Sequence, residues 1–143
     1  MTASGPVANF RFQVDIEGIA QIGFSEVAIA ETSVDVIDYR EGNDTVTRKL
    51  PGLHKVGDVT FKRGVIASNE LFDWWKTVAD GQVQRRKVVV SLLDEQRTVV
   101  RRWVMRNVWP VRYAVSPLIA VDGCVAATET LVCAVESLTS ETA

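Results

Sequence analysis

The 143-residue chain has one histidine, two cysteines and four prolines. With His54 alone, no multi-histidine metal site can form within one chain, and a Cys/His or Ser/His catalytic pair would have to use a residue in a glycine-flanked loop. Cys124 and Cys133 are too few for a disulfide framework and lack the paired spacing of a zinc site, so they read as small apolar thiols in or near a strand. No run of about 18 apolar residues occurs, so no membrane span is expected. Neither sign of charge dominates: 16 Lys and Arg stand against 18 Asp and Glu, a net charge of −2, which argues against a dedicated duplex-DNA binder. Phosphate-cradling glycine motifs are missing as well. Met1–Pro6 has neither the charged nor the apolar part of a secretory signal, so assembly in the cytoplasm is expected. The adjacent carboxylates Asp94 and Glu95 sit at a hairpin tip, where polar turn residues belong, and neighbours on a strand point to opposite sides. No catalytic residue, cofactor or metal is expected; the chain reads as not an enzyme.

What is present is a β-rich chain of ordinary globular composition, 47% apolar and 24% charged, long enough for one domain. Phe10, Phe12, Val14 and Ile16 alternate with Arg11, Gln13, Asp15 and Glu17, predicting a strand with one wet face that ends at Gly18. A long β-prone stretch runs from Ile22 to Tyr39, with interruptions expected at Gly23 or near Ala28–Ala30. Arg40 to Gly57, rich in Gly, Asn, Asp and Pro, reads as a loop of about 15 residues, long enough to suggest a function. Asp58–Val65 alternates again, with Val59, Phe61 and Val65 inward.

Leu71, Trp74, Trp75 and Val78 fall at i, i+3, i+4 and i+7 and predict a helix, with Ser68 or Asn69 as its N-cap and Gly81 as its stop. That spacing favours core packing of the tryptophans over ligand stacking. Arg86–Leu93 and Thr98–Val108 form the clearest hairpin, joined by Asp94–Arg97. Neither face of the second arm is cleanly apolar, so one side should meet a core and the other something besides bulk water. Pro110 is expected to break the ladder. A last strand spans Thr128 to Ser137. The total is six or seven strands and one helix: a mainly β protein, an antiparallel β-barrel or sandwich with one flanking α-helix. Its free edges would pair with other chains unless the barrel closes or subunits join.

Tyr39-Arg40-Glu41-Gly42, Arg48-Lys49-Leu50-Pro51-Gly52-Leu53, Phe61-Lys62-Arg63-Gly64, Leu71-Phe72-Asp73-Trp74-Trp75, Leu92-Leu93-Asp94-Glu95 and Asn107-Val108-Trp109-Pro110-Val111 follow one another in this order. Together they resemble the tail tube protein family of contractile phage tails and extracellular contractile injection systems, over about residues 8–139. The resemblance implies a tube-protein fold, homo-hexameric rings whose strands join into one barrel around a channel, and stacking of rings into an inner tube. It also implies as partners a sheath protein, baseplate or hub proteins, tube-terminating proteins, and DNA or protein cargo in the channel. The final location would be a phage tail or an injection particle. Within that picture Tyr39, Arg40, Glu41, Arg48, Lys49, Leu50, Pro51, Gly52 and Leu53 are expected at contacts between subunits and rings, and Phe61, Trp74, Trp75, Trp103 and Trp109 in the protomer core. Removing residues 43–52 should leave a folded protomer that cannot polymerise. One departure is notable: Ala114–Val121 is more apolar than the polar loop the family leads one to expect, and reads either as a buried β-turn or as an added contact surface.

Two alternatives stand beside this reading. One is a single-ring paralogue that initiates a tube or sits next to a hub. The other is a monomeric β-barrel holding single-stranded nucleic acid through Arg85, Arg86, Lys87, Arg97, Arg101, Arg102, Arg106 and Arg112, with Trp103 and Trp109 nearby.

Overall fold

The computed structural model describes residues 11–19 and 23–142. Phe10 and Ile22, assigned to strands above, lie outside the described residues. The element order is β1 (Arg11–Ile16), β2 (Glu26–Ala28), β3 (Thr32–Tyr39), β4 (Arg48–Val56), β5 (Asp58–Gly64), α1 (Glu70–Ala79), β6 (Arg86–Leu93), β7 (Val99–Val115), β8 (Ile119–Val121), β9 (Cys124–Ala126), β10 (Thr128–Ala134) and β11 (Ser137–Thr142). Among the described residues eleven strands replace the expected six or seven, because long β-prone segments divide where the chain changes partner. The Ile22–Tyr39 stretch breaks at Ile29–Glu31, and the expected last strand breaks at Val135–Glu136 into β10 and β11.

The architecture turns on β7. Its first half pairs with β6 and β11, its second half with β10, and every pairing is antiparallel. One sheet therefore runs β1-β6-β7-β11 and the other β7-β10-β5-β2, with β7 crossing from one to the other. The result is a sandwich-like arrangement, not a closed barrel. Two of its three register shifts lie where β7 passes between the sheets and let it bend. From Arg86 to Val88 on β6, the facing strand advances from Val108 back to Met105, so β7 carries an extra residue; Asn107 supplies the positive φ of 54° this bulge uses. A second shift lies opposite Val132/Cys133, beside Pro110. The expectation that Pro110 ends the ladder is thus corrected: bulges are where a sheet tolerates proline, and β7 continues through it to Val115 with Pro110 buried.

The core lies between the two sheets. Val14 and Ile16 of β1, Val88 and Val90 of β6, and Met105 and Val108 of β7 meet Val59 and Phe61 of β5 and Leu131 and Cys133 of β10. Phe12, expected with them, lies at the rim and is 39% exposed. Val65 was expected inward but is 50% exposed beyond the end of β5, and its place in the inward row is taken by Arg63.

Helix α1 packs against β7 and contributes Leu71 and Trp74 to the core. Asn69 precedes it, but its side chain donates to Asp73 Oδ1 (2.9 Å) and makes no capping bond to the backbone. The helix stops where Gly81, at φ +83°, and Gln82 return their N–H groups to the carbonyls of Val78 and Thr77 (3.0 and 2.8 Å).

Candidate assembly surface

The expected loop Arg40–Gly57 is mostly a strand. Residues 48–56 form β4 and pair with β3 in a two-stranded sheet, leaving only residues 40–47 as a connection. Pro51 and Gly52, counted in that loop, sit at a bulge opposite Val34–Val36. Gly52 is needed there, because a Cβ would stand 3.0 Å from Ile37 Cγ1 and 3.1 Å from the Asp35 carbonyl oxygen.

Only the base of the hairpin, at Val56, packs against the core; every residue of β3 is exposed, and β4 is exposed except at Gly52 and Val56. Register assigns Ile37, Tyr39 and Leu50 to one face, with Arg48, and Val34, Val36 and Pro51 to the other, with Asp38 and Lys49, so both faces carry apolar residues among charged ones. That is why period-two alternation failed to reveal β4: a strand wetted on both sides in the isolated chain has no single buried row. Leu53, at the bulge, is 68% exposed.

The tip is braced by polar bonds. Asp44 Oδ2 accepts from the Glu41 N–H (3.3 Å) and lies 3.4 Å from Arg48 Nε. Arg40 Nε donates to the Asp44 carbonyl (2.9 Å). Tyr39 donates its hydroxyl to Glu41, and this bond raises the Tyr39 pKa. Lys49 stands opposite Asp38, and Lys55 pairs with Asp35 at 3.2 Å. The structure thus brings Tyr39, Arg40, Glu41 and Arg48 around Asp44, and puts Lys49, Leu50, Pro51, Gly52 and Leu53 along the same hairpin.

Among the residues expected in the core, Phe61 and Trp74 are buried, and Trp75 and Trp103 are half-buried against that cluster. Trp109 is half-buried opposite Ala134, outside the described core cluster. Cys133 is buried and free, and burial pushes its thiol pKa up.

The arginine-rich hairpin does not gather into one groove. Arg86 lies over Trp74 (5.5 Å) and donates to the Glu17 carbonyl and to Gln84. Arg101 lies over Trp103 (5.1 Å) and donates to Ser140 Oγ, while its neighbour Arg102 faces the other side of the sheet, in register with Ser91 and Glu141. Trp103, one of the two tryptophans of that reading, is thus covered by Arg101 and packed against the core, while Trp109 is half-buried.

Sequence reasoning missed one buried polar group. Arg63 Nε donates to Glu129 Oε1 across β5 and β10, and Tyr113 of β7 donates its hydroxyl to Glu129 Oε2 (2.6 Å). Burial, followed by the bond to Glu129, pushes Tyr113 up to about 12. The signal was present: Arg63 continues the inward alternation of Val59 and Phe61, and Glu129 that of Leu131 and Cys133.

No group of residues able to hold a metal is found among the described residues, and no described helix is long and apolar enough to cross a membrane. Two joined antiparallel sheets, a helix at their side and an apolar arm left uncovered define a class. The same fold occurs in a chain of the anti-feeding prophage tube-terminating cap (24% identity, TM-score 0.86, covering 100% of this chain and 95% of that one). It occurs also in the sheath–tube complex of the PVC extracellular contractile injection system in its extended state (25%, 0.83, covering 98% and 94%) and in its sheath/tube terminator (24%, 0.86, covering 99% and 100%). No curated protein sequence matches. Residues 8–139 match the family described as T4-like virus tail tube protein gp19, and the chain belongs to that family. It is a structural tube protein of contractile tails and injection systems, not an enzyme.

Proposed function

We propose that this chain is the protomer of an inner tube, forming six-membered rings that stack into a hollow conduit inside a sheath. The observation that carries this is the sheet β1-β6-β7-β11. It has four antiparallel strands, and its two edge strands, β1 and β11, are each six residues long and pair on one side only with strands among the described residues. Because four is even, β1 and β11 run in opposite directions, so the edge of one copy can join that of the next antiparallel. Six such sheets close into 24 strands, a barrel about 40 Å across. Closure removes the edges that an isolated chain presents.

The outer face of that sheet would line the channel. Register sets Gln13, Ser91, Arg102 and Glu141 in one row and Asp15, Val89, Val104 and Thr139 in the next. Both signs of charge occur along these rows, at Asp15, Arg102 and Glu141, with Ser91 and Val104 buried in mid-sheet, and this mixture favours passage of cargo over its retention. The β3–β4 hairpin, with exposed apolar residues on both faces, suits insertion between neighbouring copies. The cap, baseplate, sheath–tube and terminator structures that contain the same fold support terminator, baseplate and sheath partners and a final place in a phage tail or injection particle; assembly in the cytoplasm is part of the same proposal.

Negative-stain electron microscopy with light scattering tests this. Six-fold rings that stack are the expected result. Rings that never stack would replace it with the single-ring reading. A monomer whose binding to single-stranded nucleic acid falls steeply with salt would replace it with the nucleic-acid reading.

A further inference from the structure

β10 lies between β5 and the second half of β7, and no tight turn joins it to either. In a hairpin the turn fixes the register of the two strands. Here residues 65–127 separate β5 from β10, and residues 116–127 separate β7 from it. The second connection carries a hairpin of its own. Segment 114–121 is not the buried β-turn considered from the sequence: the chain leaves β7 at Val115 and builds β8, with Leu118 and Ile119 exposed. Connections of this length and freedom can absorb a slip of two residues.

The apolar pattern does not reject such a slip. In the observed register Val59 faces Cys133, Phe61 faces Leu131 and Arg63 faces Glu129. Moving β10 by two residues keeps each side chain on its own face, because strands alternate with period two. Val59 would then face Val135 and Phe61 would face Cys133. That row is as apolar as the observed one, and Val135 is itself a buried core residue. The charges alone are displaced: Arg63 would face Leu131, and Glu129 would face Val65 beyond the end of β5. A slip the other way sets Glu129 against Phe61. Either slip buries opposite charges apart, which is strongly unfavourable, whereas a buried pair gains little over apolar residues of the same volume.

Tyr113 extends the same constraint to a third strand, since its hydroxyl on β7 donates to Glu129 Oε2 (2.6 Å). The network is poorly built for stability. Arg63 Nη1 and Nη2 are buried without a hydrogen-bond partner, and stranded donors are costly. Its geometry suits discrimination between pairings instead.

We infer that Arg63, Glu129 and Tyr113 are the register lock of the second sheet, selecting one pairing of β5, β10 and β7 from those the apolar rows accept equally. The lock acts within one chain and does not depend on the tube reading.

Cysteine pairs on the outer face read the register. Lys62 faces Thr130 as observed and would face Val132 after the slip. Directly opposite residues are close enough for a disulfide, while diagonal ones stand about 7–8 Å apart. Lys62→Cys is combined with Thr130→Cys or with Val132→Cys in a Cys124→Ala background, oxidised with diamide, and the bridges are mapped by mass spectrometry. With the network intact, the 62–130 bridge is expected and the 62–132 bridge only in trace. In Arg63→Met/Tyr113→Phe/Glu129→Leu the 62–132 bridge should rise about tenfold or more, with the thermal transition retained. In Glu129→Leu/Leu131→Glu, which moves the carboxylate two residues along β10, the 62–132 bridge should replace the 62–130 bridge. An unchanged 62–130 bridge in both variants would overturn the inference, leaving register to apolar packing. Loss of the folded state in the first variant would also overturn it, by showing that the network supplies stability. Unfolding of the second would count against it equally, because the slipped pairing keeps an ion pair and an apolar row.

Discussion

Arg63 occupies a position where the alternation of β5 calls for an apolar side chain. It is 1% exposed, and its charge is met by Glu129, while Nη1 and Nη2 have no hydrogen-bond partner. Such a pair adds little net stability over apolar residues of similar volume, but losing one partner strands a buried charge. Arg63→Ala should therefore cost about 3–5 kcal/mol in chemical denaturation. The triple change Arg63→Met, Glu129→Leu, Tyr113→Phe, which removes the whole network, should cost far less. Equal losses in the two variants would show that packing, not charge, holds the site. Tyr113 gives a pH test. Its folded pKa, about 12, lies above its unfolded value of 10.0, so the folded state holds its proton more tightly. Its contribution is complete below pH 10 and is lost as pH rises through about 12. Tyr113→Phe should lose less stability across pH 10 to 12 than the unaltered chain; parallel curves would remove Tyr113 as the cause.

At the scale of elements, β7 does the joining, and Asn107 lets it turn. A β-branched side chain resists the left-handed conformation that Asn107 adopts, at roughly 1–2 kcal/mol, whereas glycine accepts it. Asn107→Val should lower the melting temperature and Asn107→Gly should not. If valine is tolerated without loss, the bulge is not what fixes the bend. This element also marks a limit of reading from sequence. The apolar periodicity of Leu71, Trp74, Trp75 and Val78 placed α1 correctly because one face of a helix meets one core. In β7 the alternation slips at each bulge, so Met105 and Val108 both point inward although they are three residues apart. Pro110 looked like a terminator because sequence does not show which strand position a bulge will occupy.

At the scale of the whole molecule, the sandwich and the hairpin are separate in energy as well as in space. None of the fully buried core residues comes from β3 or β4, and of the hairpin only Val56, outside residues 34–54, packs against that core. Excising residues 34–54 with a two-residue glycine link, a cleaner cut than removing 43–52, should leave the melting transition within a few degrees of the unaltered chain and abolish ring formation. Light scattering and calorimetry on one preparation read both. A large fall in melting temperature would show that the hairpin supports the core after all. Ring formation by the excised chain would show that contacts at β1 and β11 suffice.

The sequence by itself determined the mainly β composition, the single helix, most of the inward rows and, through the order of its motifs, the family. Those features depend on local periodicity and on residue identity, which neighbours in the chain already express. Only the tertiary structure decided that Arg40–Gly57 contains a strand, that β7 belongs to two sheets, that Arg63 and Glu129 face one another in the interior, and that Leu118 and Ile119 stand exposed. Each depends on which distant segment lies opposite. A strand uncovered on both faces, a bulge and a buried ion pair are consequences of pairing between strands, and pairing is set by the whole chain.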